Sequence, residues 1–97
     1  MPAYVIAAVT DAWDQDKLVR YREGNTGVVA AHGGRFVARG GEQELLEGDW
    51  DPKRLVIIEF PDMDAARAWY HSDAYAPLRE LRRSASTTHI VLVNGTT

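Results

Sequence analysis

Leu18, Tyr21, Asn25, Val29 and His32 follow one another at steps of three and four residues, the spacing that gathers side chains on one face of a helix. Three of the five are polar. Polar groups on an inward stripe are costly unless each finds a partner or a ligand, so the stripe marks a candidate binding wall. Its chemistry would be proton transfer. His32 is the better general base, because an imidazole titrates near pH 6.5, and Tyr21 is the second. Asn25 or Arg39 would stabilise an oxyanion formed when the proton leaves. The competing reading makes Tyr21 and His32 ordinary groups at a helix–sheet edge that satisfy backbone partners.

Arg35 and Arg39 flank Val37 at two-residue steps, which predicts one strand face carrying both guanidinium groups. A half-buried arginine suits a carboxylate or enolate through paired hydrogen bonds. For Arg35 the sequence favours a salt bridge to Glu59 or Glu44, and for Arg39 the two readings stand level. Arg79, Arg82 and Arg83 cluster near the end of a later helix, where cations complement the helix dipole. Trp69, Tyr70 and Tyr75 read first as core aromatics.

Other chemistries lack their residues. Without cysteine there is no disulfide, thiolate metal site or cysteine nucleophile. His32, His71 and His89 show no metal-ligand spacing, so no metal is expected. No serine sits in a nucleophile elbow. The glycine pairs Gly33-Gly34 and Gly40-Gly41 are not followed by the lysine or helix start of a phosphate loop, so no nucleotide cofactor is expected. A formal net charge of −3 argues against a nucleic-acid partner. Met1-Pro2-Ala3 leads into a short apolar run with no basic flank, which fits neither a targeting signal nor a membrane span. The expected location is the cytoplasm.

The elements that must hold these residues can be read in order. Tyr4–Val9 is an apolar strand ended by Thr10-Asp11. A helix should run from Asp14 to about Gly33. Gly24 and Gly27, each worth about 1 kcal/mol against a helix, predict a break with Asn25 as cap of a second segment. Arg35–Gly40 is the second strand, Glu42–Glu47 a short accessory strand, and Leu55–Phe60 a third main strand. Asp62 should cap a helix running to His71, and Ser72-Asp73 should start another through Arg83, with Pro77 in its first turn. Thr88–Val93 is the final strand.

This β-α-β-(β)-β-α-(α)-β order predicts one α+β domain over residues 1–97, with a ferredoxin-like βαββαβ plan and an antiparallel sheet covered by helices on one face. Such strands should alternate apolar with polar. Instead Leu55 and Ile57 oppose Val56, Ile58 and Phe60, and Val91 and Val93 oppose Ile90 and Leu92. Both faces are apolar, and no spare element can cover the second one. A second copy of the chain would.

Gly33-Gly34-Arg35-Phe36, Arg39-Gly40-Gly41, Glu47-Gly48, Phe60-Pro61, Trp69-Tyr70, Ser72, Tyr75 and Leu81-Arg82, in this order and spacing, resemble the bacterial family called domain of unknown function 1330. That resemblance implies the dimeric α/β barrel superfamily, a homodimer, and a small-molecule ligand lying within one subunit between sheet and helices. It adds Tyr75 and Arg82 to Tyr21, Asn25, His32 and Arg39 as ligand-binding candidates around a cavity of roughly 300 Å³ or more. It implies either binding of an apolar or aromatic metabolite or a cofactor-independent monooxygenase, isomerase or cyclase. Haem handling also occurs in the superfamily and would require His32 or His89 as axial ligand.

Overall fold

The computed structural model describes residues 1–96. In chain order the elements are β1 (Ala3–Ala12), α1 (Gln15–Ala31), β2 (Arg35–Arg39), β3 (Arg54–Phe60), α2 (Met63–His71), α3 (Ala76–Arg83) and β4 (Ser86–Asn94). The strands form an antiparallel sheet in the order β2-β3-β1-β4. This is the split β-α-β plan expected, with the two apolar strands β1 and β3 in the centre.

The helix boundaries have local causes. Asp14 and Asp62 accept hydrogen bonds from the backbone N–H of Lys17 and Ala65, capping α1 and α2. The end of α1 is a Schellman turn: Gly33 takes φ +76°, its N–H donates to Ala30 O, and the Gly34 N–H donates to Val29 O. Gly34 also lets the chain pass the core, since a Cβ there would lie 2.6 Å from the Phe60 ring and 2.8 Å from Val29. The Ser72 hydroxyl accepts from the Tyr75 N–H and fixes the turn between α2 and α3, and Pro77 falls in the first turn of α3.

Three expectations need correction. No break interrupts α1 at Gly24–Gly27. Gly24 serves close packing instead, its missing Cβ being replaced by Leu78 of α3. Residues 42–47 form no strand and belong to an irregular loop on which Leu45, Leu46 and Trp50 are exposed. Arg35 and Arg39 do not share a face. A β-bulge between Phe36 and Ala38 inserts one residue, so Arg35 pairs opposite Glu59 and Arg39 opposite Val56, on the other side of the sheet.

The helices cover the sheet face that carries Val5, Ile58 and Phe60, which pack with Val29, Ala66, Trp69 and Tyr75 as the core. The opposite face carries Ile6, Ile57 and Val91 in register across three strands. Among the described residues nothing covers that face, and Val91 and Val93 are exposed.

Candidate functional site

Between α1 and the covered face of the sheet lies a cavity of about 100 Å³. Its floor is apolar, made by the inward residues of β1 and β3, among them Val5, Ala7, Val56 and Ile58. Its roof is the inward stripe of α1, including Leu18, Tyr21 and Asn25. The volume is about a third of the space expected, because Trp69, Tyr75 and Phe60, all fully buried, fill the other end of the helix–sheet gap.

The polar groups of the roof are joined to the core aromatics. The Trp69 indole N–H donates to Asn25 Oδ1 at 3.0 Å. An indole can only donate, so this bond fixes the amide with its oxygen toward Trp69 and its nitrogen toward the Tyr21 hydroxyl, at 3.5 Å. Tyr21 and Tyr75 share a hydrogen bond of 2.8 Å between their hydroxyls. The chain Trp69–Asn25–Tyr21–Tyr75 thus ties α1 to α2 and to the start of α3. Burial first, then the neighbouring Tyr75 hydroxyl, hold the Tyr21 phenol far above the usual value near 10, so it stays protonated at neutral pH.

Arg39 comes from β2, and its guanidinium stacks on Phe36, 3.8 Å from the ring centre. It also donates to Arg22 O at 2.9 Å and to the Thr26 hydroxyl at 2.8 Å. Arg54, at the start of β3, lies against Gly40, where φ is +70° and no side chain would fit. Arg82 comes from α3 and is almost completely buried, with its guanidinium carbon 6.0 Å from the centre of the Tyr21 ring.

Of the sequence candidates, Tyr21, Asn25, Arg39 and Arg82 meet at the cavity wall. Tyr75 stands behind that wall, fully buried and bonded to Tyr21. His32 is a correction. Helical spacing ends with the Schellman turn, so His32 falls at the C-cap of α1, and its Nδ1 lies 2.8 Å from Val28 O. It lies outside the cavity lining. His89 pairs opposite Ala8 on the uncovered face of the sheet, so neither histidine is placed as an axial ligand in the cavity. Among the described residues, no group of three or more histidine, cysteine or acidic side chains could hold a metal ion.

Sequence reading missed Arg22, Arg54, Ser86 and Thr88, all of which line the cavity. For Arg54 the signal was present: it shares strand parity with Val56, Ile58 and Phe60. Ser86 and Thr88 share parity with Ile90 in the same way, whereas Arg22 follows Tyr21 directly and gives no sign in the stripe itself.

The same fold recurs in solved structures. A protein of unknown function from Rhodopseudomonas palustris matches with a TM-score of 0.80 at 18% identity, over 99% of this chain and 83% of that one. A dimeric ferredoxin-like protein of unknown function from Jannaschia sp. CCS1 gives 0.76 at 12% identity, covering 98% and 100%. SnoaB, a cofactor-independent oxygenase from Streptomyces nogalater, gives 0.63 at 14% identity, covering 99% and 94%. The molecule is therefore of the α+β, ferredoxin-like class. No protein of curated function matches the sequence. Over residues 2–96 the chain matches the model of domain of unknown function 1330, and it belongs to that family.

Proposed function

We propose that this protein binds a small apolar or aromatic metabolite in the cavity between α1 and the sheet, acting as a cytoplasmic homodimer of single-domain chains with no nucleic-acid partner. The observation that carries the binding reading is the cavity itself: an apolar floor facing a roof of few, fixed polar groups is the usual composition of a ligand site. The dimer is supported by the uncovered apolar face around Ile6, Ile57 and Val91, and by the description of the structurally similar Jannaschia sp. CCS1 protein as dimeric. The absence of cysteine and the net charge of −3 support the location and the exclusion of nucleic acid. Among the described residues, no helix is long and apolar enough to cross a membrane.

The alternative is cofactor-independent catalysis with a Tyr or His general base, and the fold it shares with the Streptomyces nogalater oxygenase favours it. Two observations weigh against it. His32 is engaged with the Val28 carbonyl outside the cavity, and Tyr21 is held protonated with its hydroxyl on Tyr75. Binding is therefore the better supported reading.

Crystals soaked with single-ring aromatic fragments test it. Density is expected between α1 and the sheet, and Ala7→Leu, which fills the cavity floor, should remain folded and lose that density. Fragments that bind Ala7→Leu as well as the unchanged protein would overturn the reading.

A further inference from the structure

The cavity wall is one-signed. Among the described residues four arginines line it (Arg22, Arg39, Arg54 and Arg82), and no aspartate or glutamate does. The chain as a whole is acidic, with 14 Asp and Glu against 11 Lys and Arg, so composition does not account for this bias. Counter-ions do not account for it either. The ion pairs among the described residues use Lys17, Arg35, Arg67, Arg79 and Arg83, and none involves a cavity arginine.

Arg82 is the most telling of the four. It is only 6% exposed, and its Nε, a buried donor, has no hydrogen-bond partner among the described residues. Its surroundings are tyrosines and hydroxyls rather than carboxylates: Tyr21 lies above it, and Ser86 donates to its backbone carbonyl and bonds Thr88. Burial alone would lower its pKa, but the hydroxyls of Tyr75 and then Tyr21 more than offset that and raise it, so the guanidinium is held charged against hydroxyl oxygens, with its Nε still free to take an anion. At the sheet end of the wall, burial and then the charges of Arg22 and Arg39 depress the pKa of Arg54, which records the positive potential there.

We propose that the ligand of this cavity is an apolar or aromatic carboxylic acid, bound as its anion, with the guanidinium of Arg82 as its anchor. The inference rests on the small-molecule reading above and narrows it to a chemical class. Arg22, Arg39 and Arg54 supply the field that draws the anion in, and the valine and isoleucine floor takes its hydrocarbon part. Arginine suits the role because its planar fork presents two parallel donors to a carboxylate.

The test compares acids with their isosteric neutral amides, benzoate with benzamide and 1-naphthoate with 1-naphthamide, by titration into the 15N-labelled full chain. Backbone amide shifts of residues at the cavity wall report occupancy. The acids are expected to bind at least about tenfold more tightly than the amides, in line with a charge-assisted hydrogen bond, and Arg82→Gln should remove the difference. If Arg82→Gln fails to fold, the ratio of acid to amide in the unchanged protein still decides the point. Equal affinities would overturn the carboxylate assignment and leave the binding reading standing. Failure of all four compounds to move the cavity amides would overturn both.

Discussion

Ile57 and Ile58 are adjacent in β3 and point to opposite sides of the sheet, so replacing each with aspartate separates folding from association. Ile58 is 3% exposed and packs in the core with Phe60 and Trp69. Truncating such a side chain costs about 2–5 kcal/mol, and a carboxylate buried in its place adds several more. A chain of 97 residues has a total stability of about 5–15 kcal/mol. Ile58→Asp should therefore leave little or no folded protein. Ile57 is half-buried on the uncovered face, between Ile6 and Ala38. In an isolated chain its replacement should cost about 1 kcal/mol, the span of strand propensities. In a dimer formed through this face it would desolvate two carboxylates at several kcal/mol each. With a factor of ten for every 1.4 kcal/mol, the dissociation constant should rise about a thousandfold or more. Sedimentation velocity at micromolar concentration, with far-UV circular dichroism, reads both effects. The unchanged protein should sediment as two 10.8 kDa chains and Ile57→Asp as one folded chain. A folded Ile57→Asp variant that remained dimeric would refute the assignment of this face as the interface, and a well-folded Ile58→Asp would refute the division of the faces itself.

Two glycines of α1 and its exit should respond in opposite directions. Gly27→Ala meets no atom within 4 Å and should stabilise the protein by about 0.4–1 kcal/mol, whereas Gly34→Ala collides with Phe60 and Val29 and should cost about 1–3 kcal/mol; urea midpoints measure both. The Tyr21 phenol has a folded-state pKa raised above its unfolded value of about 10, so its contribution to stability is intact below that pH and is lost as the pH climbs further. Thermal melts should accordingly fall on the alkaline side, and Tyr21→Phe should make that fall shallower; an unchanged slope would refute the linkage.

The order of elements along the chain and the capped start of α2 were legible because they depend on local signals: apolar runs, Pro61-Asp62 and glycine pairs. What could not be read depends on long-range packing. Gly24 looks like a helix breaker until Leu78 is brought against it from α3. Arg35 and Arg39 look co-facial until the bulge at Val37 turns one of them over, and only the pairing with β3 reveals that bulge. Arg35 does take the Glu59 salt bridge expected of it, at 2.7 Å. At the site, Tyr21 and Asn25 were legible from helical periodicity. His32 was not, because periodicity carries no information about where the last turn unwinds. The amphipathic count assigned Asn25 to an inward face, but only the arrival of Trp69 from α2 explains how a buried amide is tolerated there.

That same bond separates the three tryptophans into two populations. Trp13 and Trp50 are exposed, while Trp69 is sealed from water with its N–H held by an amide at the edge of the cavity. A polar quencher in solution would extinguish the emission of the first two and leave the third. The residual light would be blue-shifted, would come from one indole, and would register any change in the amide beside it. The chain thus contains its own optical probe of whatever enters the space beneath α1.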